Sequence, residues 1–129
     1  MRDIASNIGV VSAVVPQVLT ASNTSAAIDL QGFDAAAVLI NTGAIAGSGN
    51  FTPKLQESDT TTAGDFTDVV SADLIGAFPA VLAASTAYKV GYVGRKRYVR
   101  TILTLNSGTS IAASVQIVKG NAAQRPVAG

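Results

Sequence analysis

Five carboxylates lie close together in the middle of the chain: Glu57, Asp59, Asp65, Asp68 and Asp73. Clustered acids can bind calcium or act as a general acid and base. A calcium loop, however, needs oxygen ligands at fixed spacing around a glycine, and these intervals do not match the EF-hand. A catalytic pair also needs a pocket that shifts the pKa values of its acids. We therefore expect solvated loop aspartates.

Three closely spaced glycines, Gly43, Gly47 and Gly49, could hold a phosphate group against backbone N–H groups. A P-loop would continue with Lys and then Ser or Thr, and a dinucleotide motif would open an amphipathic helix. Neither follows here. The pattern predicts a flexible loop between strands over Gly43–Asn50.

The most concentrated charge is the basic run Arg95–Arg100, which is interleaved with Tyr98 and lies near Tyr92. Basic and aromatic residues in alternation can bind nucleic acid. On a strand, however, successive side chains point to opposite faces, so the run divides between two faces. The chain has a net charge of only +1, so it has no general attraction for nucleic acid. We favour a solvated hairpin tip, or a contact with an acidic protein surface.

Residue types that are missing exclude several kinds of chemistry. The chain has no Cys and no His, which removes disulfides, zinc sites, cysteine nucleophiles and the commonest general base. Serines and threonines are plentiful, but without His they lack their usual activator. The absence of Trp weakens any case for a sugar-binding platform. The sequence therefore predicts no enzyme, no catalytic residues, no metal site and no cofactor.

The composition is that of one apolar, charge-poor domain. The chain has 129 residues, of which 48% are hydrophobic and 13% charged, against roughly 25% charged in ordinary soluble domains. No window approaches the ~18 uninterrupted apolar residues of a membrane helix. Small residues carry most of the apolarity, which suits packed strands and subunit contacts. We expect a homo-oligomer that binds neither membrane nor nucleic acid.

The pattern of the first two thirds is all-β, because β-branched and aromatic residues alternate with short turn segments. Ala35–Thr42 is nearly continuous in apolar residues and predicts a strand covered on both faces. Phe51–Ser58 alternates with period two, and Pro53 places that strand at an edge or starts it there. A short strand follows around Phe66–Val70. Ser71–Ala87 predicts irregular chain with room for one helical turn.

Three further strands are predicted at Tyr88–Tyr92, Arg97–Leu105 and Ser110–Lys119, and we expect them to form a C-terminal β-meander. Gly120–Gly129 is a tail that cannot build regular structure alone. The predicted fold is a single all-β domain over residues 1–129. It is a small β-sandwich or jelly-roll-like barrel with extended termini.

The N-terminal segment, residues 1–24, is apolar without a clear strand or helix period, and Pro16 interrupts it. We expect either an arm that docks on a neighbouring protein or an edge strand of the chain's own sandwich. Ile8–Val15 after Arg2 superficially resembles a signal peptide. Asp3 offsets the positive charge, and polar and small residues interrupt the run, so we expect a mature cytoplasmic start.

Several stretches occur in an order that resembles a known group of proteins. They are Phe51–Asp59, Asp65–Val69 and Gly91–Arg100, together with the opening Met1-Arg2-Asp3 and the ending Gly120–Pro126. In this order they resemble small virion proteins encoded among the head genes of tailed bacteriophages, the capsid decoration or cement proteins. The resemblance covers most of the chain.

The resemblance implies a β-sandwich-like protein that binds as an oligomer, often a trimer, where capsid subunits meet on the outer shell. Its partner would be the major capsid protein, and its location the capsid surface of the virion after synthesis in the host cytoplasm. The group has no catalytic residues to carry over. One alternative is a tail or head–tail connector protein, and another is a small enzyme or carbohydrate-binding module.

Overall fold

Two antiparallel sheets pack face to face in the computed structural model, which describes residues 3–122. The strands are β1 (Gly9–Leu19), β2 (Asn23–Thr24), β3 (Ile28–Asp29), β4 (Phe33–Ala46), β5 (Asn50–Ser58), β6 (Thr67–Asp68), β7 (Leu74–Ile75), β8 (Ala87–Tyr92), β9 (Tyr98–Ser107) and β10 (Ser110–Ala122). Sheet A has the order β1-β10-β4-β8-β7. Sheet B has the order β2-β9-β5-β6, with β3 also paired to β9.

In the part of the chain that the structure describes, helix is confined to three short 3₁₀ turns, at Ala5–Asn7, Ala63–Asp65 and Ser71–Asp73. The third confirms the single helical turn expected within Ser71–Ala87. Among residues 3–122, no helix has the length and apolarity to span a membrane. The all-β prediction is confirmed.

The chain crosses between the two sheets in the order of a jelly roll. The order is clearest when β2 and β3 count as one strand, the two-residue β7 is set aside, and the remaining eight strands are renumbered 1 to 8 along the chain. Sheet A then has the order 1-8-3-6 and sheet B the order 2-7-4-5. This is the double-sheet arrangement in which two Greek keys are wrapped together. The predicted β-sandwich is confirmed, and its described strands form two separate sheets instead of a closed barrel.

The predicted C-terminal meander is wrong. The strands β8, β9 and β10 do follow one another as expected, but β8 and β10 belong to sheet A and β9 to sheet B. The tight turn at Gly108, where φ is +83°, carries the chain across the sandwich instead of folding it back as a hairpin. A short turn between two strands therefore did not indicate that the two strands pair.

Glycines at one end of the sandwich allow two of these crossings to pack backbone against backbone. A Cβ on Gly49 would overlap the carbonyl oxygen of Ser110, and a Cβ on Gly108 would overlap that of Ser48. These glycines serve a close approach of two turns. The predicted flexible loop Gly43–Asn50 is too long, because its first four residues belong to β4.

The core lies between the sheets and is built from alternate strand positions. Its most deeply buried side chains are Val38, Val90, Phe51, Leu82, Val99, Leu103, Ile111, Val115 and Ile117. Each is at most 2% exposed, and all but Leu82 lie in strands. Phe51, Pro53, Leu55 and Glu57, which the alternation along Phe51–Ser58 puts on one side of the strand, all face inward along β5. The outward side chains of β4 are half-buried or exposed, so the expected cover on both faces of Ala35–Thr42 is provided on the inner face alone.

The edge prediction for Pro53 holds locally, although β5 is the second strand of its sheet. β5 pairs with β9 along its length but with β6 only near its end. The Val69 N–H donates to the Leu55 carbonyl (3.0 Å) on the side away from β9. Pro53, two residues earlier, points its nitrogen to the same open side, so the missing N–H breaks no ladder hydrogen bond.

Half of the described part of the N-terminal segment, residues 3–24, is strand β1, which forms one edge of sheet A by pairing with β10. Two register shifts interrupt this pairing on either side of Val14, and Pro16 lies in the second. At the other terminus, β10 extends through Gly120–Ala122 into the predicted tail. The rest of that tail, residues 123–129, lies outside the described residues.

Replacing a core isoleucine should reveal the dependence of the sandwich on inner-face packing. Ile117→Ala removes a fully buried side chain from β10 and should lower the free energy of unfolding by about 2–5 kcal/mol. Ile4→Ala, at a position 58% exposed, is the matched control and should change it by less than about 0.5 kcal/mol. Urea unfolding measures both, and equal effects would contradict the assigned core.

Candidate interaction face

The five candidate carboxylates do not share a pocket. The exposed ones have separate partners: Lys96 for Asp59 (3.0 Å), Lys54 for Asp68 (3.2 Å) and the Thr60 hydroxyl for Asp65 (2.7 Å). Within residues 3–122, no group of three acidic, His or Cys side chains could hold a metal ion. These aspartates connect loops and strands locally.

Glu57 is different, because it is buried and holds a neighbouring loop in place. The Tyr92 hydroxyl donates to the Glu57 carboxylate (2.6 Å) and accepts from the Lys96 backbone N–H (3.2 Å). Burial, and then the hydrogen bond to Glu57, raise the pKa of Tyr92 well above its usual value. The period-two alternation already placed Glu57 on the inner face of its strand, but sequence reasoning grouped it with solvated acids.

Most of the basic run is engaged in contacts within the chain. Arg97 binds the Asp29 carboxylate through two hydrogen bonds of 2.8 and 3.0 Å, and these lower the pKa of Asp29 to about 2. Arg100 donates to Gln56 (2.8 Å) and lies 4.5 Å from the centre of the Phe66 ring. β9 begins only at Tyr98, so the predicted alternation applies to the second half of the run.

The outer face of sheet B is that of an ordinary solvated sheet. Its outward side chains include Lys54 and Asp68, which form an ion pair, and the Arg100–Gln56 hydrogen bond. Antiparallel sheets with one face in water typically show this polar pattern. Sheet B therefore needs no partner on its outer face.

Sheet A presents the opposite character. One row of outward residues crosses all five strands, and each residue in it is the cross-strand partner of the next. The row is Val10, Val118, Ala37, Gly91 and Ile75. Val10 is 55% and Ile75 64% exposed, so the chain does not cover the row itself. The apolar residues come from sequence positions as far apart as 10 and 118, and only the strand order brings them together.

Two further rows of outward residues lie beside the first, and the three rows together form the outer face of sheet A. The residues of the two further rows are Ser12, Gln116, Leu39 and Lys89, followed by Ser114, Asn41 and Ala87. Among all these registered positions of the described strands, Lys89 is the only charged residue. The apolar first row is thus bordered by polar residues, and a surface that combines an exposed apolar row with so little charge is typical of a protein contact site.

A groove runs along the second and third rows of this face. It has a volume of about 630 Å³, and its lining includes Pro16, Leu39, Asn41, Ala87, Lys89, Ser114 and Gln116. The face thus offers both an uncovered apolar row and a depression beside it.

Comparisons with known proteins show the fold. The chain is similar to the SPBc2 prophage-derived protein YomS, with a TM-score of 0.55 and 11% identity over 92% of this chain and 98% of that one. Weaker likenesses, both with a TM-score of 0.44, are to a chain from infectious bursal disease virus, Gx strain, and to Bacillus endospore appendage pili. The viral match has 11% identity over 92% of this chain and 33% of that one, and the pilus match 10% over 93% and 95%. No protein-family model and no curated protein sequence matches the chain.

Removing the Tyr92 hydroxyl should destabilise the protein. Tyr92→Phe leaves the buried Glu57 carboxylate without its donor and should cost about 1–3 kcal/mol in unfolding free energy at neutral pH. Tyr98→Phe is the matched control and should change the unfolding free energy little.

The pH dependence gives a second readout of the same substitution. Because the pKa of Tyr92 is raised in the folded protein, its stabilising effect is complete below pH ~10 and is lost as the unfolded tyrosine ionises at higher pH. The difference between wild type and Tyr92→Phe in urea unfolding should therefore narrow above pH ~10. A constant difference would contradict the assigned role of this hydroxyl.

Proposed function

We propose that this protein is a structural virion protein that decorates the outside of a bacteriophage capsid. The observation that carries the proposal is the outer face of sheet A, which has an exposed apolar row, a single charged residue among its registered positions and no cover from the described part of the chain. A face of this kind supports a protein whose work is to pack against other proteins. The order of motifs that resembles capsid decoration proteins, and a fold shared with a prophage-derived protein, direct the proposal to a phage particle.

In this proposal the protein acts by adding buried contact area and has no catalytic role. Its partners are the major capsid protein and other copies of itself. Each apolar Å² removed from water contributes about 25 cal/mol, so even a modest contact strengthens a joint between capsid subunits. An oligomer multiplies this effect, because once one copy is bound the others bind at high effective concentration.

Binding to capsid shells that lack the protein tests this function. Purified protein is mixed with the shells, the shells are pelleted, and the bound copies are counted by quantitative mass spectrometry. We expect a number near one per capsid subunit. Val10→Arg should reduce binding at least tenfold, because it places an unpaired charge in the apolar row of a face that must be covered by protein in the bound form.

Val70→Arg provides the control, because Val70 is 59% exposed, close to the 55% of Val10, but lies outside the registered rows of sheet A. It should bind like the wild type. No binding to shells, or equal binding by the two variants, would contradict the proposal. A handful of copies per particle would instead support the tail or head–tail connector alternative.

A further inference from the structure

We infer that the outer face of sheet A is covered by a second copy of this chain, so that two sandwiches pack face to face. The inference deepens the proposed function by naming the occupant of the face. It rests on the proposed function only in taking the pair as the form that binds the shell. The pairing of two copies is a property of the isolated protein and is tested without the shell.

The distribution of charge favours a second copy over a different protein. Interfaces between permanent or identical subunits are more apolar than transient ones, and their centres are depleted in charged residues. A partner of strongly acidic or basic character would be matched by complementary charges on this face. The registered rows contain one charge, Lys89, whose long side chain can keep its ammonium group in water at the edge of a contact.

The size of the face fits a stable pair. Five strands spaced at about 4.8 Å give a width of roughly 24 Å. Along β10, the stretch from Ala112 to Gly120, which begins and ends on an outward-facing residue, is roughly 30 Å long. Because β8 has only six residues and β7 only two, the flat area is roughly 570 Å² per copy, close to the lower end of the ~600–1,000 Å² that each partner contributes to a standard interface.

The arrangement of the face is also self-complementary. The apolar row through Ala37 and the groove beside Leu39 and Asn41 follow one another along the strands. A two-fold axis lying between two copies and perpendicular to the strands therefore brings the row of each copy over the groove of the other. Such an isologous contact closes as a pair. The trimer that the resemblance implies would require a different contact.

Pairing through the sheet edge is less favourable than pairing through the face. One edge of sheet A is β1, whose ladder contains two register shifts and Pro16, and the other is β7, which has only two residues and is too short to add a strand readily. Bulges and proline are the devices that prevent another strand from adding to an edge. The second copy is thus expected on the face and not beside β1.

Sedimentation equilibrium of the isolated protein tests the inference without any capsid. The wild type should have twice the mass of the chain at micromolar concentration. Ile75→Arg, which places a charge at one end of the apolar row, should weaken the pair at least tenfold. Ile4→Arg is the matched control, because Ile4 is 58% and Ile75 64% exposed, and it should leave the pair intact. Urea unfolding of each variant confirms that both are folded.

The outcomes separate this inference from the proposed function. A monomeric wild type at millimolar concentration, or a pair that Ile75→Arg does not weaken, would overturn the inference. If that monomer still bound capsid shells through the face, the decoration function would stand and the shell would be the occupant. A trimer would also overturn the two-fold arrangement.

Discussion

The pairing of β4 with β10 is the constraint on which the rest of the structure depends. These two strands occupy the centre of sheet A, and their register sets which side chains face inward. Val38 opposite Ile117 lies in the core, and one residue along, Ala37 opposite Val118 lies on the outer face. A slip of one residue would exchange the two sets. The same register therefore determines both the packing of the core and the composition of the outer face of sheet A.

The turns that carry the chain from one sheet to the other join the two sheets into the jelly roll. Because β4 continues into β5 and β9 into β10 through tight turns at one end, the two sheets are joined where Gly49 and Gly108 allow close backbone approach. At the other end, the buried Tyr92–Glu57 hydrogen bond joins β8 of sheet A to β5 of sheet B. The outer face of sheet A is thus presented by a sandwich that is held together at both ends.

Local patterns predicted much of this fold, and pairing across the chain accounts for what they missed. The alternation along Phe51–Ser58 identified the inner face of β5, because a strand's period is a property of neighbouring residues. The prediction of a C-terminal meander was wrong because turn residues do not determine which strands pair. The outer face of sheet A could not be found from sequence, since Val10 and Ile75 become parts of one row only through the order of five strands. The apolar, charge-poor composition suggested a contact surface without locating it.

Thiol labelling measures the covering of this face most directly, because the chain has no cysteine and a single one can be introduced. Ala37→Cys places a thiol at the centre of the apolar row, and Ala26→Cys places one at an exposed position between β2 and β3 of sheet B. On passing from dilute protein to the assembled, shell-bound form, the labelling rate of the cysteine at position 37 should fall at least tenfold while that at position 26 stays constant. An unchanged rate at position 37 in the assembled form would contradict the account, because the outer face of sheet A would then remain open to solvent.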